Sequence, residues 1–167
     1  CIKTTNAELV ILLVTAIPRL VFRTASPSDC FECSMEAARI ALTYMTPVIF
    51  LSDLYVANGA EPWKIPNVSK LPEIKTQFAQ DPDDFVVYRR NSETLARTQA
   101  IPGQAGFEHR IGGLEKSEDG SVSYDPENHE QMTHLRMEKI NGIAKTYDPI
   151  EVQGDDEGDL LVIGWGG

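Results

Sequence analysis

The stretch SPSDCFECSMEAARIALTYMTPVIFLSD, residues 26–53, constrains the fold more than any other part of the chain. Ser26 stands where a cap would stand, Pro27 at the first helical position and Asp29 three residues after the cap. That combination marks a helix start. Phe31, Met35, Ala38, Leu42 and Met45 then recur at steps of four and three and predict one inward stripe. Thr46-Pro47 stops the helix, because proline disfavours helical geometry in the residue before it. PVIFLSD is a continuous apolar run with β-branched residues, which suits a strand covered on both faces of a parallel sheet. RLVFRTA, residues 19–25, reads as a short strand ahead of the helix. Strand, helix and strand then form a right-handed βαβ unit.

Ligands of such sheets bind beyond the carboxyl ends of the strands. Here those ends are Thr24–Asp29 and Ser52–Asn58. Both carry hydroxyls and carboxylates, and the first adds the free N–H groups of a helix start.

Upstream, residues 6–17 (NAELVILLVTAI) are apolar almost all round. They are expected to form a buried helix capped by Asn6, with Glu8 in its first turn and Pro18 at its end. The run Leu9–Ile17 is shorter than the roughly 20 residues that a bilayer span needs. It also lacks the basic leader and small-residue cleavage site of an export signal, so a cytoplasmic location is expected.

Downstream, residues 59–124 carry Pro62, Pro66, Pro72, Pro82 and Pro102 and only one short helical signal, near Ser92–Arg97. A connection of this length is uncommon inside a compact domain. Trp63, Ile65, Phe78, Phe85, Tyr88 and Phe107 argue that it lies on a surface rather than being disordered. Residues 125–145 predict another helix, with Asp125 as cap, Pro126 opening it, and Met132, Leu135, Ile140 and Ile143 facing inward. After the acidic link GDDEGD, LLVIGWGG predicts a strand with a glycine turn. The chain is expected to be a segment of something longer, because its few strands do not close a stable sheet.

Charge narrows the function. The net charge is −10, divided as −1 over residues 1–66 and −9 over 67–167. Such a chain repels phosphate backbones, so nucleic acid is not an expected partner. Cys1, Cys30 and Cys33 form no disulfide framework. Cys30-Phe31-Glu32-Cys33 has the spacing of a redox dithiol, but Cys30 is already a full turn inside the helix. Buried thiols near a subunit contact are the alternative. His109, His129 and His134 show no ligand spacing, so no metal site is assigned. GWGG is a weak fragment of a dinucleotide fingerprint.

At SPSDCFE, YMTPVIFLSD and ANGAEPWKIP the chain resembles the alpha subunit of 2-oxoacid:ferredoxin oxidoreductases, in particular the 2-oxoglutarate:ferredoxin type (2-oxoglutarate synthase). The resemblance continues through ETLAR, EHRIGGLEK, VSYDPENHE and DLLVIGWGG and covers roughly residues 24–167. It implies an α/β fold: residues 1–60 as the late part of a three-layer, thiamine-diphosphate pyrimidine-binding domain, 61–150 as an extended linker with its helix at 126–145, and 158–167 as the first strand of a transketolase C-terminal-like domain. It implies thiamine-dependent oxidative decarboxylation of a 2-oxoacid, with coenzyme A taking the acyl group and electrons leaving singly through an iron–sulfur cluster to ferredoxin. Thiamine diphosphate, Mg²⁺ and the cluster would sit mainly in a beta subunit. The family's catalytic acid–base groups fall upstream, so no catalytic residue is assigned. Ser26, Ser28, Asp29, Asp53, Tyr55 and Asn58 match the family's loops near the cofactor. Leu54 replaces the glycine that the family usually has after the strand-ending aspartate. An assembly segment wrapping a partner subunit, and a small CxxC dithiol protein, are the readings from other classes.

Overall fold

A computed structural model describes residues 8–13, 18–148, 154, 157–160 and 162. Strand β1 spans Glu8–Leu13, β2 spans Pro18–Arg23 and β3 spans Val48–Leu51. Helix α1 spans Asp29–Tyr44, the short α2 Leu54–Asn58 and α3 Pro126–Ala144. The strands form one sheet in the order β1-β2-β3. β2 and β3 are parallel, with Leu20 opposite Val48 and Arg23 opposite Leu51, and α1 is the crossover between them. The βαβ unit expected from residues 19–53 is present.

The expected helix over residues 6–17 is overturned. Glu8–Leu13 is a strand, antiparallel to β2, with Glu8 opposite Arg23 and Leu13 opposite Pro18. A continuous apolar run carries no period that separates buried helix from buried strand, and Val10 and Ile11 favour the strand. Pro18 is not a helix stop but the first residue of β2, a position where a missing N–H is tolerated. Asn6 lies outside the described residues.

Helix α1 begins three residues later than its cap signal. Cys30 and Phe31 donate to the carbonyls of Pro27 and Ser28, a tight first turn. Ser26 Oγ accepts from the Asp29 N–H at 3.4 Å, and the Asp29 carboxylate accepts from the Ala25 N–H at 2.9 Å. This reciprocal pair does the work of a capping box just ahead of the helix. The inward stripe is also corrected. Cys33, Ala37 and Ile40 are buried, whereas Ala38 is exposed and Leu42 is 42% exposed. Small side chains at 33 and 37 let α1 lie close to the sheet, Ile40 fills the core beside them, and Leu42 is turned outward.

One core ties both halves of the chain together. Leu20 and Phe22 of β2 pack with Ala37 and Ile40 of α1 and with Ile140 and Ile143 of α3; Tyr44, Val48 and Tyr147 close its edge. Helix α3 therefore docks on the sheet face that α1 covers. Asp125 caps it, accepting from the Glu127 N–H at 3.1 Å. Met132, Ile140 and Ile143 are buried as the sequence predicts, whereas Leu135 is only partly buried and Lys139 takes an inward place instead. β3 is less covered than expected: Phe50 is 38% and Leu51 48% exposed, because β3 is the edge of the described sheet.

The segment 59–124 is irregular but packed. Phe85 meets Phe107 edge-on at 5.3 Å, and Val87, Ala96 and Phe107 are buried. The short helix expected at Ser92–Arg97 is a turn instead. The Asn91 carboxamide oxygen accepts from the N–H groups of Glu93 and Thr94, both at 2.9 Å, and Leu95 adopts a left-handed φ of 53°. An asparagine that satisfies local N–H groups competes with helix formation. The expected strand at 158–167 lies largely outside the described residues. No helix among the described residues is long and apolar enough to cross a membrane.

Candidate cofactor-facing loops

Two loops leave the parallel strands on the same side of the sheet. The first follows β2 and leads into α1. The second follows β3, forms α2 and runs on to Trp63. Asp53 starts the second loop: its carboxylate accepts from the Val56 N–H at 2.8 Å and caps α2. The same carboxylate lies 3.6 Å from the Arg23 guanidinium at the end of β2. Val56 is the buried anchor of α2, while Leu54 and Tyr55 stand 81% and 73% exposed. Asn58 turns back on its own helix and donates to the Leu54 carbonyl at 2.9 Å.

Glu61 clasps the two loops. Its Oε1 accepts from the Ser26 hydroxyl at 2.8 Å and from the backbone N–H of Ser28. Ser26 and Ser28 hydroxyls lie 3.2 Å apart, so carboxylate and hydroxyls share one small network. These bonds, with Ser28 foremost, hold the Glu61 carboxyl below its ordinary range, so it remains ionised. Two apolar contacts reinforce the clasp. Trp63 packs on Phe31 at 5.5 Å between ring centres. Gly59 lies so close to Pro27 that an added Cβ would stand 2.9 Å from its ring.

Of the six candidate residues, the structure brings Ser26, Ser28 and Asp29 into one hydrogen-bonded cluster at the start of α1. Asp53 is joined to that loop through Arg23. Tyr55 and Asn58 project on the outer side of α2 and touch none of the other four through a hydrogen bond among those described. Sequence reasoning missed Glu61, Arg23, Trp63 and Gly59. The signal for Glu61 was thin: a carboxylate in a polar loop, 33 residues from the N–H it meets.

The thiols have no redox arrangement. Cys33 is fully buried, and burial first, then Asp29, pushes its thiol up to about 12. Cys30 and Cys33 are both free. No metal-binding group of three or more His, Cys, Asp or Glu occurs among the described residues. His129 pairs with Glu115 at 2.6 Å, and His109 bonds the Phe107 carbonyl.

Comparison with known proteins gives a consistent answer. Residues 1–125 match the family model described as pyruvate flavodoxin/ferredoxin oxidoreductase, thiamine diphosphate-binding. The chain is 53% identical over 151 residues to the 2-oxoglutarate oxidoreductase subunit KorA of Mycobacterium tuberculosis, covering 89% of this chain and 23% of that protein. It is 24% identical to the 2-oxoglutarate synthase subunit KorA of Methanothermobacter marburgensis, over 85% of this chain and 37% of the relative. A solved structure, the 2-oxoglutarate:ferredoxin oxidoreductase of Magnetococcus marinus with 2-oxoglutarate, coenzyme A and succinyl-CoA bound, superposes with a TM-score of 0.74 at 28% identity, over 83% of this chain and 24% of that one. The chain thus spans about a quarter to a third of the length of these relatives. With its parallel βαβ unit, its clasped strand-end loops and a family match over three-quarters of its length, the chain belongs to the pyruvate flavodoxin/ferredoxin oxidoreductase family, in the thiamine diphosphate-binding domain of that family.

Proposed function

We propose that the chain is part of the alpha subunit of a 2-oxoacid:ferredoxin oxidoreductase, and that the assembled enzyme decarboxylates 2-oxoglutarate oxidatively, passes the acyl group to coenzyme A and delivers electrons to ferredoxin. The observation that carries this reading is the 53% identity to a 2-oxoglutarate oxidoreductase subunit over 89% of the chain. A beta subunit is the expected partner, holding the iron–sulfur cluster. The free thiols of Cys30 and Cys33 are compatible with a reducing cytoplasm.

The residues present fit only part of a thiamine diphosphate site. The N–H of Ser28 at the start of α1, where a diphosphate would find donors, is taken by Glu61. No carboxylate cluster for Mg²⁺ occurs among the described residues. The diphosphate–metal end of the cofactor therefore does not fit here, and no reaction step is assigned to these side chains. What fits is a wall: a rigid, uncharged-to-acidic rim built from the two clasped loops, which would help enclose the remainder of the cofactor and exclude water. Ser26, Ser28, Asp29 and Asp53 hold that wall in shape, and Tyr55 and Asn58 are its outward face.

The test uses the full-length subunit co-produced with its beta partner. Reduction of a viologen dye that requires 2-oxoglutarate, coenzyme A and thiamine diphosphate together is the expected result. Reduction with pyruvate but not 2-oxoglutarate would overturn the substrate. No reduction with any 2-oxoacid by a complex that carries iron and thiamine diphosphate would overturn the activity.

A further inference from the structure

Four cations gather where the 88–97 turn meets α3. Arg90 donates to the Leu95 carbonyl at 3.1 Å and reaches the sulfur of Met132 on α3 at 3.7 Å. Arg97, opposite Arg90 across the turn's backbone bridge, lies over the Tyr88 ring at 4.3 Å. Arg136 and Lys139 follow Met132 by four and seven residues and so share its side of α3. Arg90 is the electrostatic centre of the group: Arg97 and Arg136 act on it, as does Glu115 with the opposite sign, and Arg90 and Arg97 act on Lys139.

Three of the four are held in place by partners that carry no charge. Lys139 donates to the Tyr44 carbonyl, Arg90 to the Leu95 carbonyl, and Arg97 rests on a ring. Arg90, Arg97 and Lys139 make no ion pair among the described residues. Arg136 has Glu115 at 3.0 Å, but Glu115 is shared with His129. The Nε of Arg90 is buried with no hydrogen-bond partner. A buried charged donor left in that state is costly, which leaves it open to an acceptor. Composition does not explain the cluster. The chain carries 25 Asp and Glu against 15 Lys and Arg, yet among the described residues only Glu115 stands in an ion pair with any of the four cations.

We propose that Arg90, Arg97, Arg136 and Lys139 form a binding site for a phosphate-type oxyanion. Guanidinium forks present paired N–H donors that match the oxygens of such a group, and the lysine adds a compact charge. The site is remote in sequence from the strand-end loops and does not depend on the reaction proposed above. Free inorganic phosphate and the phosphate of a small phosphomonoester offer the same chemistry.

The test is calorimetric titration of the full-length subunit in its native assembly with inorganic phosphate, against chloride at matched ionic strength. The expected result is saturable uptake that weakens about tenfold or more in Arg97→Gln and in Arg90→Gln, the loss of one charge-assisted pair. Arg97 is partly buried rather than in the core, and an unchanged circular dichroism spectrum for Arg97→Gln separates lost binding from lost folding. A second arm compares adenosine monophosphate with adenosine. Tighter binding of the monophosphate than of inorganic phosphate assigns the site to a phosphorylated small molecule, and equal binding assigns it to the free ion. Absence of phosphate uptake by the wild-type protein, or equal uptake by the folded Arg97→Gln and Arg90→Gln variants, overturns the proposal.

Discussion

The ammonium of Lys139 donates to the backbone carbonyl of Tyr44 at 2.8 Å, across 95 residues of chain. Tyr44 is the last residue of α1, so the bond satisfies a carbonyl that the helix itself leaves open and sets a positive charge at the negative end of its dipole. It also fastens α3, which follows the irregular segment 59–124, to the βαβ unit.

That fastening carries a pH signature. Lys139 is 7% exposed, and burial, then Arg90 and Arg97, lowers its pKa to about 8. The unfolded lysine keeps an ordinary value near 10.5. Between these values the unfolded chain binds more protons than the folded one, so stability rises with pH across that window. Relative to Lys139→Met, the wild-type protein is expected to gain about 3 kcal/mol between pH 7.5 and pH 11. Denaturant unfolding of both proteins at several pH values checks this. A stability gap that does not change with pH would show that the lysine is not desolvated.

Gly59 sets how closely the two strand-end loops approach. A methyl group there would stand 2.9 Å from the Pro27 ring and 3.0 Å from the Tyr55 carbonyl oxygen. Neither neighbour is a flexible chain end, so the loops must part. Gly59→Ala is expected to cost about 2 kcal/mol by overpacking. It should also loosen Trp63 from Phe31, seen as a red shift of tryptophan emission. Gly142 is the control, because an added Cβ there meets nothing within 4 Å.

How much of this was legible in the sequence depends on where the information is stored. The parallel unit was legible because its signals are local: Pro27, Asp29, Thr46-Pro47 and the apolar run after them. The Asp125–Pro126 start of α3 was legible for the same reason. β1 was not, since an unbroken apolar run has no period to read and its identity is settled by pairing with β2. The inward face of α1 was not legible because apolar residues lie on two sides of the helix, and packing on the sheet selects Cys33, Ala37 and Ile40. The position of the Ser26–Asp29 loop at a strand end could be read from topology. Its contact with Glu61 could not, because the two lie 35 residues apart in sequence.

Cys30 and Cys33 should differ sharply toward thiol reagents. Cys33 is buried, and its thiol is pushed up to about 12 by burial and by Asp29. At pH 8 that leaves about one thiolate in ten thousand. Cys30 is partly exposed and bonds only weakly to the Ser26 carbonyl at 3.7 Å. Alkylation of the native protein at pH 8, followed by peptide mapping, is expected to label Cys30 and spare Cys33 until the protein unfolds. Rapid labelling of Cys33 in the folded protein would revive the dithiol reading.

Glu61→Gln tests the clasp itself. The carboxylate accepts two bonds from the Ser26–Ser28 loop, and a carboxamide oxygen accepts them more weakly because it carries no charge. Trp63, two residues on and stacked on Phe31, reports the outcome without any assay of turnover. The variant is expected to show faster amide exchange at Ser28 and red-shifted Trp63 emission, with Trp165→Phe introduced in both proteins to leave Trp63 as the sole reporter. The pH response has a defined sign. The folded Glu61 carboxyl titrates below its ordinary value of 4.5, so the clasp is intact above that value and is lost as pH falls through the lowered one. Wild-type emission should therefore hold its position through pH 5 and shift only in more acidic solution, while Glu61→Gln shows no such step. A step in the variant at the same pH would assign the transition to a group other than Glu61.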